Sequence, residues 1–301
     1  MNLNKIAAID IGSNAVRMLI SYVIKNNEGK LHFQKNSYIR LPLRLGEDSF
    51  KDQSISKNKI ETFINAINSM KYIMKVHGVD YYLAYATSAL REAENSDVII
   101  SKVKSETAIE IEIIDGLKEA KIISNAKLIE KNHPFRKNLY IDVGGGSTEL
   151  SFVQNGKKTL SRSFNIGTVR DLNKKNKTNV GDQIKIWIKD NMDKDFKLRL
   201  FGTGGNINKI QNITNTKVGK PISYFSMITL LNNLSKIDYE KRILQYDLNP
   251  DRADVIIPAL KIFSKTMEWS GSNKIFVPKV GLVDGMIKEI YFNSAGKKLI
   301  L

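Results

Sequence analysis

Residues 7–20 read AAIDIGSNAVRMLI, and residues 140–152 read YIDVGGGSTELSF. Each stretch is a short apolar run, an aspartate, and a turn rich in small residues: Gly12-Ser13-Asn14 in the first, Gly144-Gly145-Gly146-Ser147 in the second. An apolar run before a glycine turn predicts a strand that feeds a tight reversal, because glycine reaches backbone conformations closed to other residues. Successive backbone N–H groups in such a turn suit phosphate oxygens. The pattern recurs with an offset of 132 residues, from Asp10 to Asp142. The same offset sets Arg17 against Glu149, so the halves share a frame but carry opposite charges at one position.

Working outward, residues 5–11, about 17–24 and Leu31–Ile39 predict a three-stranded meander. After Arg44-Leu45-Gly46-Glu47 a loop leads to a helix capped at Ser56, with Ile60, Phe63, Ile64, Ile67, Met70, Ile73 and Met74 at helical spacing and Gly78 as its C-cap. A strand at 79–86, helices at 88–104 and 117–131, and an intervening strand at 109–114 complete the first half. The second half repeats the plan: strands 138–143, 148–154 and 157–164, the latter two joined by an Asn155-Gly156 turn, then a helix at 180–193 and a strand at 197–202. Helices are expected at 224–236, 239–245, 251–269 and 283–292. Ala86-Thr87-Ser88 and Gly202-Thr203-Gly204 stand as the second turns of the two halves.

The chain has 301 residues, 42% of them apolar, enough for about two domains. It has no cysteine, which excludes disulfides and thiolate metal sites. No apolar run approaches the ~18 residues of a membrane span, and Lys5 and Asp10 make a poor secretory signal, so a cytoplasmic location is expected. The formal charge is +16. That excess favours a polyanionic partner or reflects composition alone. No motif for specific nucleic-acid recognition accompanies it. His32, His77 and His133 have no metal-ligand spacing, and Trp187 and Trp269 fit helical packing.

Nine segments carry a family resemblance: AAIDIGSNAVRMLI (7–20), RLGE (44–47), ATSALREAEN (86–95), EIIDGLKEA (112–120), YIDVGGGSTELSF (140–152), SFNIGTVRDL (163–172), LFGTGGNINKI (200–210), RADVIIPAL (252–260) and GLVDG (281–285). In this order they resemble the exopolyphosphatase / guanosine pentaphosphate phosphohydrolase family of the actin-like ATPase superfamily. The resemblance implies an α/β fold of two actin-like, ribonuclease H-like domains with a cleft between them. The expected domains are 1–121 plus about 280–301, and 122–279, with no additional C-terminal helical His-Asp-type domain. It implies Glu119 as the catalytic carboxylate and Asp142 and Glu149 as ligands of Mg²⁺ or Mn²⁺. Arg91 would lie on the substrate phosphates, with Gly12, Ser13, Asn14, Gly144, Gly145, Gly146 and Ser147 in the phosphate loops. Arg17 joins the phosphate-binding set on its own chemistry, since guanidinium geometry suits phosphate.

The expected activity is metal-dependent release of terminal phosphate from inorganic polyphosphate or from guanosine penta- or tetraphosphate, by a homodimer. A phosphotransferase and a binding-only sensor are the competing readings. Taken singly, each residue also has a structural role open to it: Glu119 as a solvated helix residue, Arg91 as a partner of Glu92 or Glu94, Asp142 as the organiser of its own turn, and Arg17 as a solvent-facing strand residue. Two positions depart from the family pattern. Lys118 replaces an acidic residue beside Glu119, where it would lower that carboxyl's pKa or contact phosphate. Asn206 replaces a threonine at the end of the Gly-Thr-Gly-Gly segment.

Overall fold

The computed structural model describes residues 2–126, 136–154, 157–170, 180–192, 197–292 and 298–299. In chain order the elements are β1 (Asn2–Ile11), β2 (Val16–Lys25), β3 (Leu31–Leu41), α1 (Leu45–Asp52), α2 (Lys57–His77), β4 (Tyr81–Ala86), α3 (Ser88–Glu92), α4 (Ser96–Thr107), β5 (Glu112–Ile113) and α5 (Gly116–Asn125). There follow β6 (Arg136–Val143), β7 (Thr148–Gln154), β8 (Lys157–Phe164), α6 (Val180–Asp190), β9 (Lys197–Thr203), α7 (Gly205–Ile213), β10 (Ile222–Ser223), α8 (Tyr224–Ser235), α9 (Tyr239–Tyr246), α10 (Pro250–Ala253), α11 (Ile256–Trp269) and β11 (Lys274–Phe276). The last are α12 (Leu282–Phe292) and β12 (Lys298–Leu299). The chain divides into two compact units, Met1–Ala126 with Leu282–Leu301, and Lys127–Gly281.

Each unit is built on a mixed sheet with the same core plan. In the first, the strand order is β12-β4-β1-β2-β3, with β5 beside β4. In the second it is β10-β11-β9-β6-β7-β8. A meander (β1–β3, β6–β8) supplies three antiparallel strands, and the next long strand (β4, β9) lies parallel to the first of them. The pairings place Asp10 opposite Arg17 and Asp142 opposite Glu149. The 132-residue offset read from the sequence is therefore an equivalence in register.

Strand alternation sorts the cores. Ala7, Ile9 and Ile11 pack under α2 and α4, while Ile6 and Ala8 pack with Ile122, Ile123, Leu282, Met286 and Ile290 of α5 and α12 on the other face. Asp10 shares the parity of Ile6 and Ala8, so it lies on the face that α5 covers. In the second unit Leu139, Ile141 and Val143 join the main core. Asp142 and Glu149 share the opposite face with Tyr140 and Ser151, and there Ser151 bonds Ser161 across the strands.

Several local expectations needed correction. The helix expected at 88–104 is broken into α3 and α4, because Ala93 is extended and the Asn95 amide bonds both backbone groups of Ile55. The strand expected at 109–114 pairs only at Glu112–Ile113. The helix expected from 117 starts at Gly116 and runs to Asn125; its expected remainder, 127–131, lies outside the described residues, as do Asn155-Gly156. The loop expected after Arg44–Glu47 is the short helix α1, and α7 stands in a segment with no predicted element. The helix expected over 251–269 is interrupted between α10 and α11. Gly78 does end α2 in the left-handed conformation, at φ 61°.

Helix α12 returns from the end of the chain to pack on α5 and β1. Gly285 makes that contact possible, because a Cβ there would run into the backbone carbonyl of Ile122. We expect Gly285→Ala to cost about 1–3 kcal/mol, the usual scale of overpacking. The change should appear as a lower thermal midpoint by calorimetry, and an unchanged midpoint would show that α12 shifts freely on α5.

Candidate active site

The two glycine turns share one hydrogen-bond scheme. Gly12 N donates to Ala15 O at 3.2 Å, and at the equivalent place Gly144 N donates to Ser147 O at 2.9 Å. In each case the turn's carbonyls are then held by a distant segment. Ser13 O accepts from Gly46 N at 2.9 Å and Asn14 O from Arg44 N at 3.0 Å, both in the Arg44–Glu47 motif. Gly46 is needed at this approach: a Cβ would lie 2.8 Å from Ser13 Cβ. The start of the following motif closes the other side. Thr87 N donates to Ile11 O at 3.1 Å, and the buried hydroxyls of Ser13 and Ser88 are 2.8 Å apart. The structure thus brings Gly12, Ser13 and Asn14 together with Thr87 and Ser88 at the ends of parallel strands β1 and β4.

The charged residues of the first unit are more occupied than the sequence implied. Arg17 Nη1 is 2.7 Å from Asp10 Oδ2, with the aspartate side chain only 5% exposed, so this arginine neutralises a buried carboxylate. Arg91, near the end of α3, donates from Nη1 to Ile114 O at 2.7 Å. Glu119 stands in the first turn of α5, half-buried, with its Oε2 shielded from solvent. Asp115 starts that helix by accepting Lys118 N on its Oδ1 at 2.6 Å, an N-cap bond that fixes the turn from which Glu119 projects.

Lys118 was expected to tune Glu119 or contact phosphate. Its ammonium instead pairs with Glu112 at 2.6 Å and lies 4.5 Å from the centre of the Tyr85 ring. Tyr85 in turn donates to Glu289 at 3.0 Å. Burial first, and then the Glu289 carboxylate, push its phenol well above the ordinary range.

In the second unit Asp142 ends β6 and Glu149 begins β7, directly opposite on one face. Like charges in that register repel. Glu149 is 4% exposed and accepts the Ser163 hydroxyl at 2.8 Å. Asp142 reaches the Gly204 backbone; with φ at +94° and a Cβ position 2.7 Å from Asp142 Oδ1, only glycine fits beside that carboxylate. No group of three or more acidic or histidine side chains placed to hold a metal occurs among the described residues. Two carboxylates are the number Mg²⁺ ordinarily takes from protein, with phosphate oxygens and water completing the shell. The donor set therefore fits a hard divalent ion.

Sequence reasoning assigned no contact to three features near these turns. The segment Gly167–Arg170 caps the second turn from behind. Arg252 lies flat over Gly205, where a Cβ would be 2.7 Å from Nη2, and donates to Asn206 Oδ1 at 3.0 Å. Ser88 engages Ser13. All three fall in segments that carried the family resemblance, which was the available signal; their contacts depend on tertiary approach.

Two units that each open on a hairpin with a glycine turn, followed by a parallel strand ending in a second turn, define the actin-like class of phosphate-handling folds. Residues 23–293 match the Ppx/GppA phosphatase family, and the chain belongs to it. The chain is 30% identical over 319 residues to the bifunctional 3-dehydroquinate synthase/phosphatase of Fusobacterium nucleatum, covering 94% of this chain and 46% of that protein. It is also 30% identical over 166 residues to exopolyphosphatase 1 of Mycobacterium tuberculosis, covering 55% of this chain and 47% of that protein. The chain thus spans about half the length of these relatives. Among solved structures, the Aquifex aeolicus member of the Ppx/GppA family superposes with a TM-score of 0.76 at 23% identity, over 98% of this chain and 99% of that one. An exopolyphosphatase from Cytophaga hutchinsonii superposes with a TM-score of 0.79 at 20% identity, over 95% and 97%. These likenesses establish the fold.

Helix α1 holds the first turn in place through a charge cluster. Lys59 Nζ lies 3.0 Å from Glu47 and 2.9 Å from Asp48, and Arg44 Nε is 2.6 Å from Glu47. Burial alone would raise both carboxyls, but hydrogen bonds from Lys59 and Arg44 to Glu47, and from Ser56 and Lys59 to Asp48, hold them below their ordinary values of 4.5 and 3.8. A depressed folded-state pKa adds stability above the unfolded value and loses it as pH falls through the folded one. Lys59→Met should therefore lower the thermal midpoint at pH 7, and its deficit against wild type should shrink as pH drops below 4.5. A deficit that stays constant from pH 7 to pH 3 would refute the charge assignment.

Proposed function

We propose that the protein is a phosphoanhydride hydrolase that removes terminal phosphate from inorganic polyphosphate, with guanosine pentaphosphate as a second substrate of the same chemistry. The observation that carries this reading is the second turn: three peptide N–H groups with no hydrogen-bond partner among the described residues stand beside a directly opposed pair of carboxylates. Family membership supports the same reaction class.

Water attacks the terminal phosphorus, the bond from that phosphorus to the bridging oxygen breaks, and the products are orthophosphate and a chain one unit shorter. Glu119 takes the proton from the attacking water. The N–H groups of the glycine turns hold non-reacting phosphate oxygens, a role that needs preorganised donors. Asp142 and Glu149 would hold Mg²⁺ or Mn²⁺, and such an ion would neutralise charge on the phosphoryl oxygens. Arg91 supplies further positive charge to the substrate, while Arg17 keeps Asp10 neutralised.

The decisive experiment is a phosphate-release assay on long-chain polyphosphate, tripolyphosphate and guanosine pentaphosphate, with Mg²⁺, Mn²⁺ or a chelator. Orthophosphate release that stops with chelator and returns with Mg²⁺ is expected. Transfer of phosphate to an acceptor, or tight binding with no release, would overturn the hydrolytic reading. Glu119→Gln should reduce turnover at least about a hundredfold while substrate still binds, as for the loss of a general base. Near-normal turnover in that variant would remove Glu119 from the reaction.

A further inference from the structure

The N–H groups of Gly145, Gly146 and Ser147, without partners among the described residues, point where they do because the carbonyls of their peptides are tied down. Thr168 N donates to Gly144 O at 3.0 Å, Val169 N and Arg170 N donate to Gly145 O at 2.8 and 3.0 Å, and Arg170 Nε donates to Gly146 O at 2.6 Å. The segment can come this close because Gly167 has no side chain; a Cβ there would collide with Gly145 O. In a trans peptide the N–H points opposite to the C=O. Fixing the carbonyls of Gly144, Gly145 and Gly146 toward residues 168–170 therefore turns the N–H groups of Gly145, Gly146 and Ser147 the other way. Backbone donors hold the first two carbonyls. The third, in the peptide that carries Ser147 N–H, is held by a side chain, and that side chain is a guanidinium on a residue only 5% exposed.

We propose that Arg170 is a positioning residue: its Nε–H locks the Gly146–Ser147 peptide so that Ser147 N–H faces a phosphate oxygen of the substrate. This rests on the reading of the second turn as a phosphate site. It does not require that the phosphate be hydrolysed. A charge-assisted bond to a buried carbonyl is worth more than a neutral one, so it resists peptide rotation about flexible glycine. Without it the Gly146–Ser147 peptide is free to turn, and the donor is lost without any residue touching the ligand having changed.

The test compares Arg170→Met with Arg170→Gln. Glutamine places an N–H donor the same number of bonds from Cα as Nε of arginine, whereas methionine places a methyl group there. Tripolyphosphate is the probe. Because Ser147 N–H holds a non-reacting oxygen in both ground and transition state, its loss should act on binding. Arg170→Met should raise KM for tripolyphosphate at least about tenfold with kcat within about threefold, and Arg170→Gln should restore KM to within about threefold of wild type. A role confined to stability would instead lower kcat with KM unchanged, and that result, or an unchanged KM, overturns the proposal. A second measurement needs no variant: on titrating tripolyphosphate into the wild-type chain, the amide proton of Ser147 should shift downfield in the NMR spectrum. An unmoved Ser147 amide overturns it. If the wild-type chain hydrolyses nothing, dissociation constants from calorimetry replace KM; the hydrolytic reading then falls while this one is still decided. A wild-type chain that binds no tripolyphosphate overturns both.

Discussion

A peptide plane cannot turn its N–H without turning its C=O, and both glycine hairpins depend on that rigidity. A turn of small residues is by itself permissive: it can present donors, acceptors or a mixture. Here the carbonyls of each turn are held from behind, by residues 44–46 in one unit and 168–170 in the other. In the second turn this leaves the N–H groups of Gly145, Gly146 and Ser147 without a partner among the described residues. The surrounding fold is arranged to deliver these holding segments, with Gly46 and Gly167 shaved of side chains where the backbones meet.

The same hairpin then does two different jobs. In the first unit the cross-strand position opposite the aspartate is Arg17, and the two form a partly buried ion pair. In the second the position is Glu149, which sets two carboxylates on one face. One equivalent register position thus carries opposite charge in the two hairpins. Glu119 belongs to neither hairpin. It comes from a helix whose start is fixed by Asp115 and whose packing surface is completed by α12.

The hairpins were legible because strand alternation and glycine turns are local signals, and the 132-residue offset survived as a true register. The acidic pair was legible for the same reason. What escaped was tertiary. Asn95 looks like any helix residue until its amide meets Ile55, and so one helix read as continuous is two. Lys118 lies beside Glu119 in sequence, but Glu112 and the face of Tyr85 draw its long side chain elsewhere. Arg170 sits in a recognisable motif whose sequence says nothing of which carbonyl it will hold. Side chains that act on distant backbone leave little trace in periodicity or composition.

The return of α12 to the first unit sets an order of assembly during synthesis. A ribosome delivers β1 through α5 early, but the face of the sheet bearing Ile6, Ala8 and Ile122 lacks its cover until Leu282–Phe292 emerges. Between them comes the whole second unit, which takes roughly 8 to 30 s at about 5–20 residues per second. During that interval the second unit has all the chain it needs, and the first does not. The helix carrying Glu119 thus completes its packing only after the second unit has been made.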